Sequence, residues 1–118
     1  MPVYNEAATV GQVIQKVLAQ HPVQELIAVD DASRDTTWEV LQKIAAVEPR
    51  LKLFRHPVNR GKGAALRTGI EQASADYVII QDADLEYDPA EYFLVLNPIL
   101  CGKADVVFGT RCAALVAK

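Results

Sequence analysis

The chain has 118 residues, of which 51% are apolar, and it carries a formal net charge of −3 at pH 7. This length suits one hydrophobic core, so we expect a single globular domain over residues 1–118. The small negative charge gives no electrostatic case for binding nucleic acid, and no apolar run is as long as a membrane span. The two cysteines form neither a disulfide framework nor a metal pair, which makes a reduced, cytoplasmic compartment the expectation.

The N-terminal residues 2–6, PVYNE, are typical of a loop that follows a strand, although no strand precedes them. We therefore expect that the first strand of the domain has been cut away. From Thr9 onward, apolar residues recur every three to four positions and predict a helix. This helix should end near His21, because Pro22 disfavours helical geometry in the residue before it.

A strand and a second helix are predicted next. Residues 25–29, ELIAV, indicate a buried strand that ends in the carboxylate pair Asp30 and Asp31. Ser33 or Asp35 is expected to cap the helix that follows, since both residue types favour the N-cap position.

Residues 51–54, LKLF, predict a short strand near the edge of a sheet, because apolar and charged side chains alternate. Residues 56–63, HPVNRGKG, then form a loop with two glycines and the cations Arg60 and Lys62, and this loop leads into a helix. Helix N-termini favour phosphate through their free N–H groups and dipole. The P-loop and GxGxxG patterns are both absent, so a dinucleotide site is not expected.

The stretch 77–89, YVIIQDADLEYDP, carries the clearest chemical signal. Residues 77–80 are apolar and β-branched, and they predict a buried strand that stops shortly before Asp82 and Asp84. Residues i and i+2 of an extended chain project to the same side, so these carboxylates can converge on one cation. Mg²⁺ and Mn²⁺ prefer such oxygens and often bring phosphates with them. The alternative interpretation is an acidic surface turn.

Residues 88–91, DPAE, are typical of a helix start, and residues 105–108, DVVF, predict a last strand. Strand and helix thus alternate along the chain. This alternation predicts an α/β protein with three α/β/α layers, a mostly parallel, Rossmann-like sheet and helices on both faces.

The carboxyl ends of parallel strands meet at one edge of a sheet, where open α/β sheets bind ligands. We therefore expect Glu6, the Asp30–Asp31 pair, Asp82 and Asp84 to share one site. Acidic residues that hold a metal, combined with a cationic glycine loop, suit a diphosphate.

Several of these side chains also have interpretations without a function. Tyr4 can be a half-buried packing residue, and Arg60 and Lys62 can be solvated loop charges. His21 and His56 lack metal-ligand spacing, so both are interpreted as surface or capping residues.

Five segments occur in the order seen in family 2 glycosyltransferases, and from Pro2 to Arg111 the chain resembles their GT-A domain. The segments are PVYNE (2–6), VDDASxDxT (29–37), NRGKGAA (59–65), DAD (82–84) and GTR (109–111). The pattern DADLExDP looks most like the branch of dolichyl-phosphate mannose synthase and bacterial polyprenyl-phosphate sugar transferases. The resemblance implies the GT-A fold of nucleotide-diphospho-sugar transferases, and a chain that also stops before the family's acceptor segment.

The resemblance implies roles for the residues of the first two segments. Pro2, Tyr4 and Glu6 would line the pocket for the nucleobase and ribose. Asp31 would hydrogen-bond the base, and Asp30 would support that turn.

It also implies roles around the diphosphate. Arg60 or Lys62 would face the phosphates. Asp82 would approach the ribose and the metal, and its neighbour Ala83 would contact the nucleotide. Asp84 would be the principal Mg²⁺ or Mn²⁺ ligand.

The implied reaction is metal-dependent transfer, with inversion, from a UDP- or GDP-sugar to a polyprenyl or dolichyl phosphate. Such an acceptor is already an anion, so a cation such as Arg111, on the acceptor side, could position it without a general base. The whole protein would act at the cytoplasmic face of a membrane, through parts absent from this chain. The fragment alone is expected to show little turnover.

Three alternatives remain open at this point. A family 2 transferase could act on a polysaccharide or cell-wall glycan, or the domain could bind a nucleotide sugar without catalysis. The third is a phosphoacceptor receiver domain, with Asp30–Asp31 as its metal pair, Asp82 as phosphoacceptor and Lys103 as its lysine. It fits least well, because a receiver's lysine should end a strand and Lys103 precedes one.

Overall fold

The computed structural model describes residues 1–84, Pro89 and Tyr92, and the backbone of residues 106–108 and 114–117. The elements in chain order are β1 (Pro2–Val3), α1 (Val10–Leu18), β2 (Leu26–Asp30), α2 (Thr37–Ala45), β3 (Leu51–Arg55), α3 (Lys62–Gln72), β4 (Tyr77–Ile79), β5 (Val106–Phe108) and β6 (Ala114–Ala117). The α/β class with a parallel sheet is confirmed. The helix start predicted at residues 88–91 lies outside the described residues, except for Pro89.

The parallel sheet contains β1, β2 and β3 in that order. Strand β2 pairs along its whole length with β3, from Leu26 opposite Leu51 to Asp30 opposite Arg55. In the described part of the sheet β3 is an outer strand, as its alternating charge predicted. All five residues of β2 are buried.

Residues 2 and 3 were expected to belong to a loop, but they are part of a strand. Pro2 and Val3 form β1 themselves, with Pro2 opposite Val29 and Val3 opposite Asp30 of β2. Val3 is only 1% exposed, so this residue of the PVYNE segment belongs to the core of the sheet. The loop proper begins at Tyr4.

Helices cover both faces of this sheet, which confirms the three predicted layers. Leu26 and Ala28 of β2 pack into a cluster with residues of α1 and α2, such as Ile14 and Leu41. The alternate residues of β2, Ile27 and Val29, pack instead with Ala65 of α3 and with Ala73, which directly follows that helix. This division follows from the two-residue period of a strand.

Helix α3 approaches β2 closely. A Cβ atom built on Gly69 would lie 3.6 Å from Cγ2 of Val29 and 3.9 Å from Cγ2 of Ile27. The absence of a side chain at Gly69 therefore lets α3 pack directly against β2. Leu66 and Ile70 of α3 are half-buried and line a cavity of about 410 Å³ between α3, β2 and β4.

Strand β4 is less buried than its apolar sequence predicted. Tyr77 is 40% exposed, and Val78 and Ile79 are half-buried. In the described residues β4 pairs with β6, which runs antiparallel to it and also pairs with β5. Because a cavity lies between β4 and α3, these two elements do not pack fully against each other.

Strand β5 confirms the strand predicted at residues 105–108, but this strand is not the last one, because β6 follows it and was not predicted. The sequence of β6, ALVA, is rich in alanine, which is depleted in strands. Within the described ranges, no helix has the length and apolar character that crossing a bilayer requires.

Candidate functional site

A cleft of about 290 Å³ lies at the carboxyl ends of β1 and β2, where the loops after β1, β2 and β3 meet the segment after β4. Most residues that the sequence nominated for binding line this cleft: Pro2, Tyr4, Glu6, Asp31, Lys62, Asp82, Ala83 and Asp84. The structure therefore brings together side chains that are far apart in the chain, as a shared strand edge predicts. Their individual roles stay predictions.

Backbone and side chains join the loops after β1 and β2. The N–H of Asn5 donates to Oγ of Ser33 at 2.9 Å, and the N–H of Glu6 donates to Oγ1 of Thr37 at 3.0 Å. Asn5 has φ = 52° and Ala32 has φ = 60°, which places both in the left-handed region. Asn tolerates this conformation, whereas for alanine it costs about 1–2 kcal/mol.

Thr9 connects the first loop with the acidic segment after β4. Its Oγ1 lies 3.0 Å from Oε2 of Glu6 and 2.9 Å from the carbonyl oxygen of Ala83. The hydroxyl carries one hydrogen, so it donates to one of these oxygens at a time. The contact holds Glu6 at the cleft and Ala83 beside it.

Asp30 supports the turn after β2. It is fully buried, and its Oδ2 accepts the N–H of Ser33 at 3.2 Å while its Oδ1 accepts the Ser33 hydroxyl. Nε of Arg55 lies 3.3 Å from Oδ2, and the same guanidinium lies 5.1 Å from the ring centre of Trp38. The carboxylate of Asp30 therefore faces the turn and is absent from the lining of the cleft.

Asp31 holds the loop that precedes α3. Asp31 is 4% exposed. Its carboxylate accepts hydrogen bonds from the N–H of Arg60 at 2.9 Å, the N–H of Gly61 at 2.8 Å and Nδ1 of His56 at 2.7 Å. Burial raises the pKa of this carboxyl, but the three donors more than offset burial and hold the pKa below its usual value. A hydrogen bond from Asp31 to a nucleobase stays a prediction.

His56 was expected at the surface or at a cap, and this expectation is wrong. The residue is 5% exposed, and its Nε2 lies 2.9 Å from Oγ1 of Thr68 in α3. Sequence reasoning missed it because a lone histidine gives no spacing signal, and its partners lie 25 and 12 positions away. His21, by contrast, is exposed as predicted.

The two loop cations behave differently. Nζ of Lys62 lies 2.7 Å from Oδ1 of Asp82, so Lys62 reaches the acidic segment although its side chain is 60% exposed. Arg60 is exposed and contributes its backbone N–H to Asp31. Only Lys62 of the two lines the cleft.

Two carboxylates of the cleft fit a divalent metal. Asp82 and Asp84 offer hard oxygen ligands, and the ammonium of Lys62 shows that a cation is accommodated at Asp82. Within the described residues, no group of three or more His, Cys, Asp or Glu side chains is arranged to hold a metal. A Mg²⁺ or Mn²⁺ ion held by Asp82 and Asp84 would therefore need its remaining ligands from phosphate and water.

Gln81 and Tyr92 fix the backbone at the start of the acidic segment, and no sequence motif singles them out. Gln81 is 2% exposed and accepts the hydroxyl of Tyr92 at 2.7 Å. Its Nε2 donates to the carbonyl oxygen of Asp82 at 3.2 Å. Burial raises the pKa of Tyr92, which keeps this phenol a hydrogen-bond donor.

Two predicted positions fall outside the described residues. They are Arg111, expected on the acceptor side, and Lys103, which a receiver domain would require. The role of Arg111 therefore remains a prediction.

The layered α/β fold is that of the GT-A class of glycosyltransferases, to which its structural neighbours belong. The chain itself belongs to glycosyl transferase family 2, which it matches over residues 1–115. Family membership overturns the receiver-domain alternative.

Three relatives illustrate this membership. A mannosyltransferase from Pyrobaculum calidifontis, solved in complex with GDP-Man and Mn²⁺, is 33% identical with a TM-score of 0.65, over 70% of this chain and 26% of its own. The dolichol-phosphate mannosyltransferase of Pyrococcus furiosus is 30% identical over 113 residues, 94% of this chain and 32% of that protein. A poly-beta-1,6-N-acetyl-D-glucosamine synthase of Staphylococcus epidermidis is 37% identical over 95 residues, 80% and 23% respectively. The chain spans less than half the length of each.

Proposed function

We propose that this chain is the donor-binding part of a metal-dependent, inverting glycosyltransferase that transfers a sugar from a UDP- or GDP-sugar to a polyprenyl or dolichyl phosphate. The observation that carries the proposal is the cleft, where two carboxylates of one segment and the first residue of α3 face the same space. A nucleoside diphosphate suits such a cleft, because its phosphates bind a metal ion and a cationic side chain and its base packs against an apolar surface.

The nucleoside would lie against the loops after β1 and β2. Tyr4 is 42% exposed and lines the cleft, so its ring is available to stack on a base, and a packing role does not account for that exposure. Pro2 and Glu6 would border the ribose on the same side. Asp31 would shape the pocket floor, since its carboxylate fixes the loop beside it.

The diphosphate would lie between the start of α3 and the acidic segment. Asp82 and Asp84 would hold Mg²⁺ or Mn²⁺, which would neutralise the charge that develops on the leaving nucleoside diphosphate. Lys62 would exchange its contact with Asp82 for a phosphate oxygen, and Ala83 would contact the nucleotide. The positive end of the α3 dipole favours the phosphates at this position.

The lipid-phosphate acceptor is supported by the likeness to dolichol-phosphate mannosyltransferase across 94% of the chain. An anionic acceptor needs positioning rather than deprotonation, and Arg111 is the residue proposed for that task. The protein would then work at the cytoplasmic face of a membrane. The competing acceptor is a glycan, supported by the likeness to the poly-beta-1,6-N-acetyl-D-glucosamine synthase.

Calorimetric titration tests the donor site. UDP and GDP are titrated, with and without Mn²⁺, into the chain, into Asp84→Asn and into the control Glu71→Gln, which changes an exposed residue of α3. We expect one nucleotide to bind only with Mn²⁺, with an affinity at least about tenfold weaker in Asp84→Asn and unchanged in the control. If the folded chain binds neither nucleotide, it does not hold a donor site.

A labelled nucleotide sugar then tests the acceptor. Label that enters an organic phase with polyprenyl phosphate supports the lipid acceptor, and label on a soluble oligosaccharide supports the glycan alternative. Because little turnover is expected from this chain alone, the identity of the labelled product, and not the rate of its formation, decides between the two acceptors.

A further inference from the structure

His56 is a buried, titratable residue at the edge of the cleft, and the proposed chemistry gives it no role. It directly follows β3, and its side chain is 6% exposed. Nδ1 lies 2.7 Å from Oδ1 of Asp31, and Nε2 lies 2.9 Å from Oγ1 of Thr68. The ring therefore bridges the end of β2 and helix α3.

The partner carboxylate organises the loop that carries the cations of the site. Asp31 accepts the N–H groups of Arg60 and Gly61, and Nδ2 of Asn59 donates to the carbonyl oxygen of Asp31 at 3.2 Å. Gly61, with φ = 92°, then leads directly into Lys62, whose ammonium reaches the acidic segment. Hydrogen bonds thus link His56 to Asp31 and Asp31 to Gly61, and Gly61 is joined to Lys62 by a peptide bond.

The neighbours of the His56 ring determine which of its nitrogens donates a hydrogen bond and which accepts one. An ionised carboxylate only accepts, so Nδ1 of His56 carries a hydrogen and donates to Asp31. Nε2 accepts the hydroxyl of Thr68 when the ring is neutral. When the ring is charged, Nε2 donates instead and the same hydroxyl donates to the carbonyl oxygen of Ala64, 3.0 Å away. Asp31 keeps its donor in both states.

We propose that His56 is a positioning residue of the donor site: its Nδ1–H orients the carboxylate of Asp31 so that both oxygens hold the backbone before α3. The loop then directs Lys62 into the cleft. This inference rests on the proposed function, because the site that His56 serves is the one proposed for the nucleoside diphosphate. His56 itself does not line the cleft.

Two amide substitutions separate the two ring nitrogens. In His56→Asn the amide nitrogen takes the place of Nδ1, which keeps the bond to Asp31 and loses the bond to Thr68. In His56→Gln the longer side chain places its amide near Nε2, which keeps Thr68 and loses Asp31. His21→Gln, at an exposed histidine, controls for the substitution itself.

Nucleotide affinity is measured by calorimetry in the presence of Mn²⁺ for the wild-type chain and the three variants. We expect His56→Gln to bind about tenfold more weakly, since a hydrogen bond to a charged group is lost. His56→Asn should stay within about threefold of wild type, and His21→Gln should equal it. If the two His56 variants lose affinity equally, or if His56→Gln loses none, the ring only fills space and the proposal is overturned.

Amide hydrogen exchange keeps the proposal testable apart from the proposed function. The N–H groups of Arg60 and Gly61 should exchange about tenfold faster in His56→Gln than in wild type, and at the wild-type rate in His56→Asn. Should the wild-type chain bind no nucleotide, the proposed function fails while this comparison still decides the role of His56. Equal exchange in all variants would overturn that role.

Discussion

Strand β2 is flanked by two carboxylates that make similar contacts at opposite ends of the sheet. Asp31, after the strand, accepts two backbone N–H groups from the loop before α3 and the ring of His56. Glu25, before the strand, accepts two backbone N–H groups from the segment after α3. Helix α3 is therefore held at both ends by acidic residues that border the same strand.

The surroundings of Glu25 differ from those of Asp31. Oε1 of Glu25 accepts the N–H of Ser74 at 2.7 Å and that of Ala75 at 3.2 Å, and Nζ of Lys52 lies 2.7 Å from Oε2. The Lys52 contact, with the hydrogen bonds from Ser74 and Ala75, lowers the pKa of Glu25 to about 2 against the opposing effect of burial. Lys52 is 47% exposed, whereas His56 is 6% exposed. One end is a partly solvated ion pair, and the other is a buried network.

Backbone strain is a further difference between the Asp31 end and the Glu25 end of β2. In the described residues, positive φ occurs at Asn5, Ala32 and Gly61, and all three lie in the loops of the cleft. Strained conformations concentrate at functional sites, where surrounding contacts hold them. From this comparison we infer that the Glu25 contacts serve stability alone, whereas those of Asp31 also maintain the shape of the loop before α3.

Replacing Asp31 should produce the largest effect. In Asp31→Asn the amide nitrogen meets N–H donors that need an acceptor, so we expect the free energy of unfolding to fall by about 3 kcal/mol. Nucleotide affinity should fall by more than about tenfold, because the loop before α3 loses its anchor. Urea unfolding and calorimetry measure the two quantities. A stable variant with unchanged affinity would remove the distinction between the two ends.

Replacing Glu25 should affect stability alone. We expect Glu25→Gln to lower the free energy of unfolding by about 1–2 kcal/mol, less than the full pKa shift implies because Lys52 is half exposed. The folded pKa lies below the unfolded value, so this contribution is complete above about pH 4.5 and is lost as the pH falls towards 2.

Urea unfolding of both proteins at pH 7, 5 and 3 checks this prediction. The difference between wild type and Glu25→Gln should shrink at pH 3, while nucleotide affinity at pH 7 stays the same. A difference that does not change with pH, or a loss of affinity, would contradict the separation of the two ends.

Replacing Lys62 should affect nucleotide affinity and leave stability nearly unchanged. Lys62 is exposed and its partner Asp82 is partly exposed, so Lys62→Ala should change the free energy of unfolding by less than about 0.5 kcal/mol. Nucleotide affinity should fall about tenfold through the loss of one phosphate contact. The same measurements on Lys43→Ala, at an exposed position of α2, provide the control. Equal affinities would show that Lys62 is a solvated charge.

Replacing Ala32 should give the smallest change, with the opposite sign. Ala32→Gly relieves a left-handed alanine, and after the entropy cost of glycine we expect a gain of about 0.5 kcal/mol in stability. Ala46→Gly, at an exposed residue with φ = −64°, should instead lose about 0.5–1 kcal/mol. Thermal unfolding of both variants checks the signs. A loss at Ala32 would mean that no strain is stored beside Asp31.

The alternation of elements was predictable because buried strands and amphipathic helices leave periodic patterns. The α1 helix at Val10–Leu18 and the fully buried β2 followed from such patterns. The exposure of β4 and the presence of β6 did not, since pairing partners distant in sequence decide both. Local propensity carries no information about which strand lies alongside another.

The site was predictable in part for a similar reason. Motifs with fixed spacing located Asp31, Asp82 and Asp84, and the strand-edge rule brought them together. The contacts that hold them could not be predicted, because His56 and Thr9 have no pattern around them. A side chain that acts through distant partners becomes recognisable only when the chain is folded.

The close approach of Gly69 to β2 has a mechanical consequence. An α-helix is a stiff rod, and Gly69 lies seven positions, about two turns, after Lys62 on the same helix. An added methyl would just touch Val29, but a larger side chain would push the rod away from the sheet. The displacement would also move the first residue of the helix, Lys62, relative to Asp82. The size of one residue in the core thus sets the width of an opening two helical turns away.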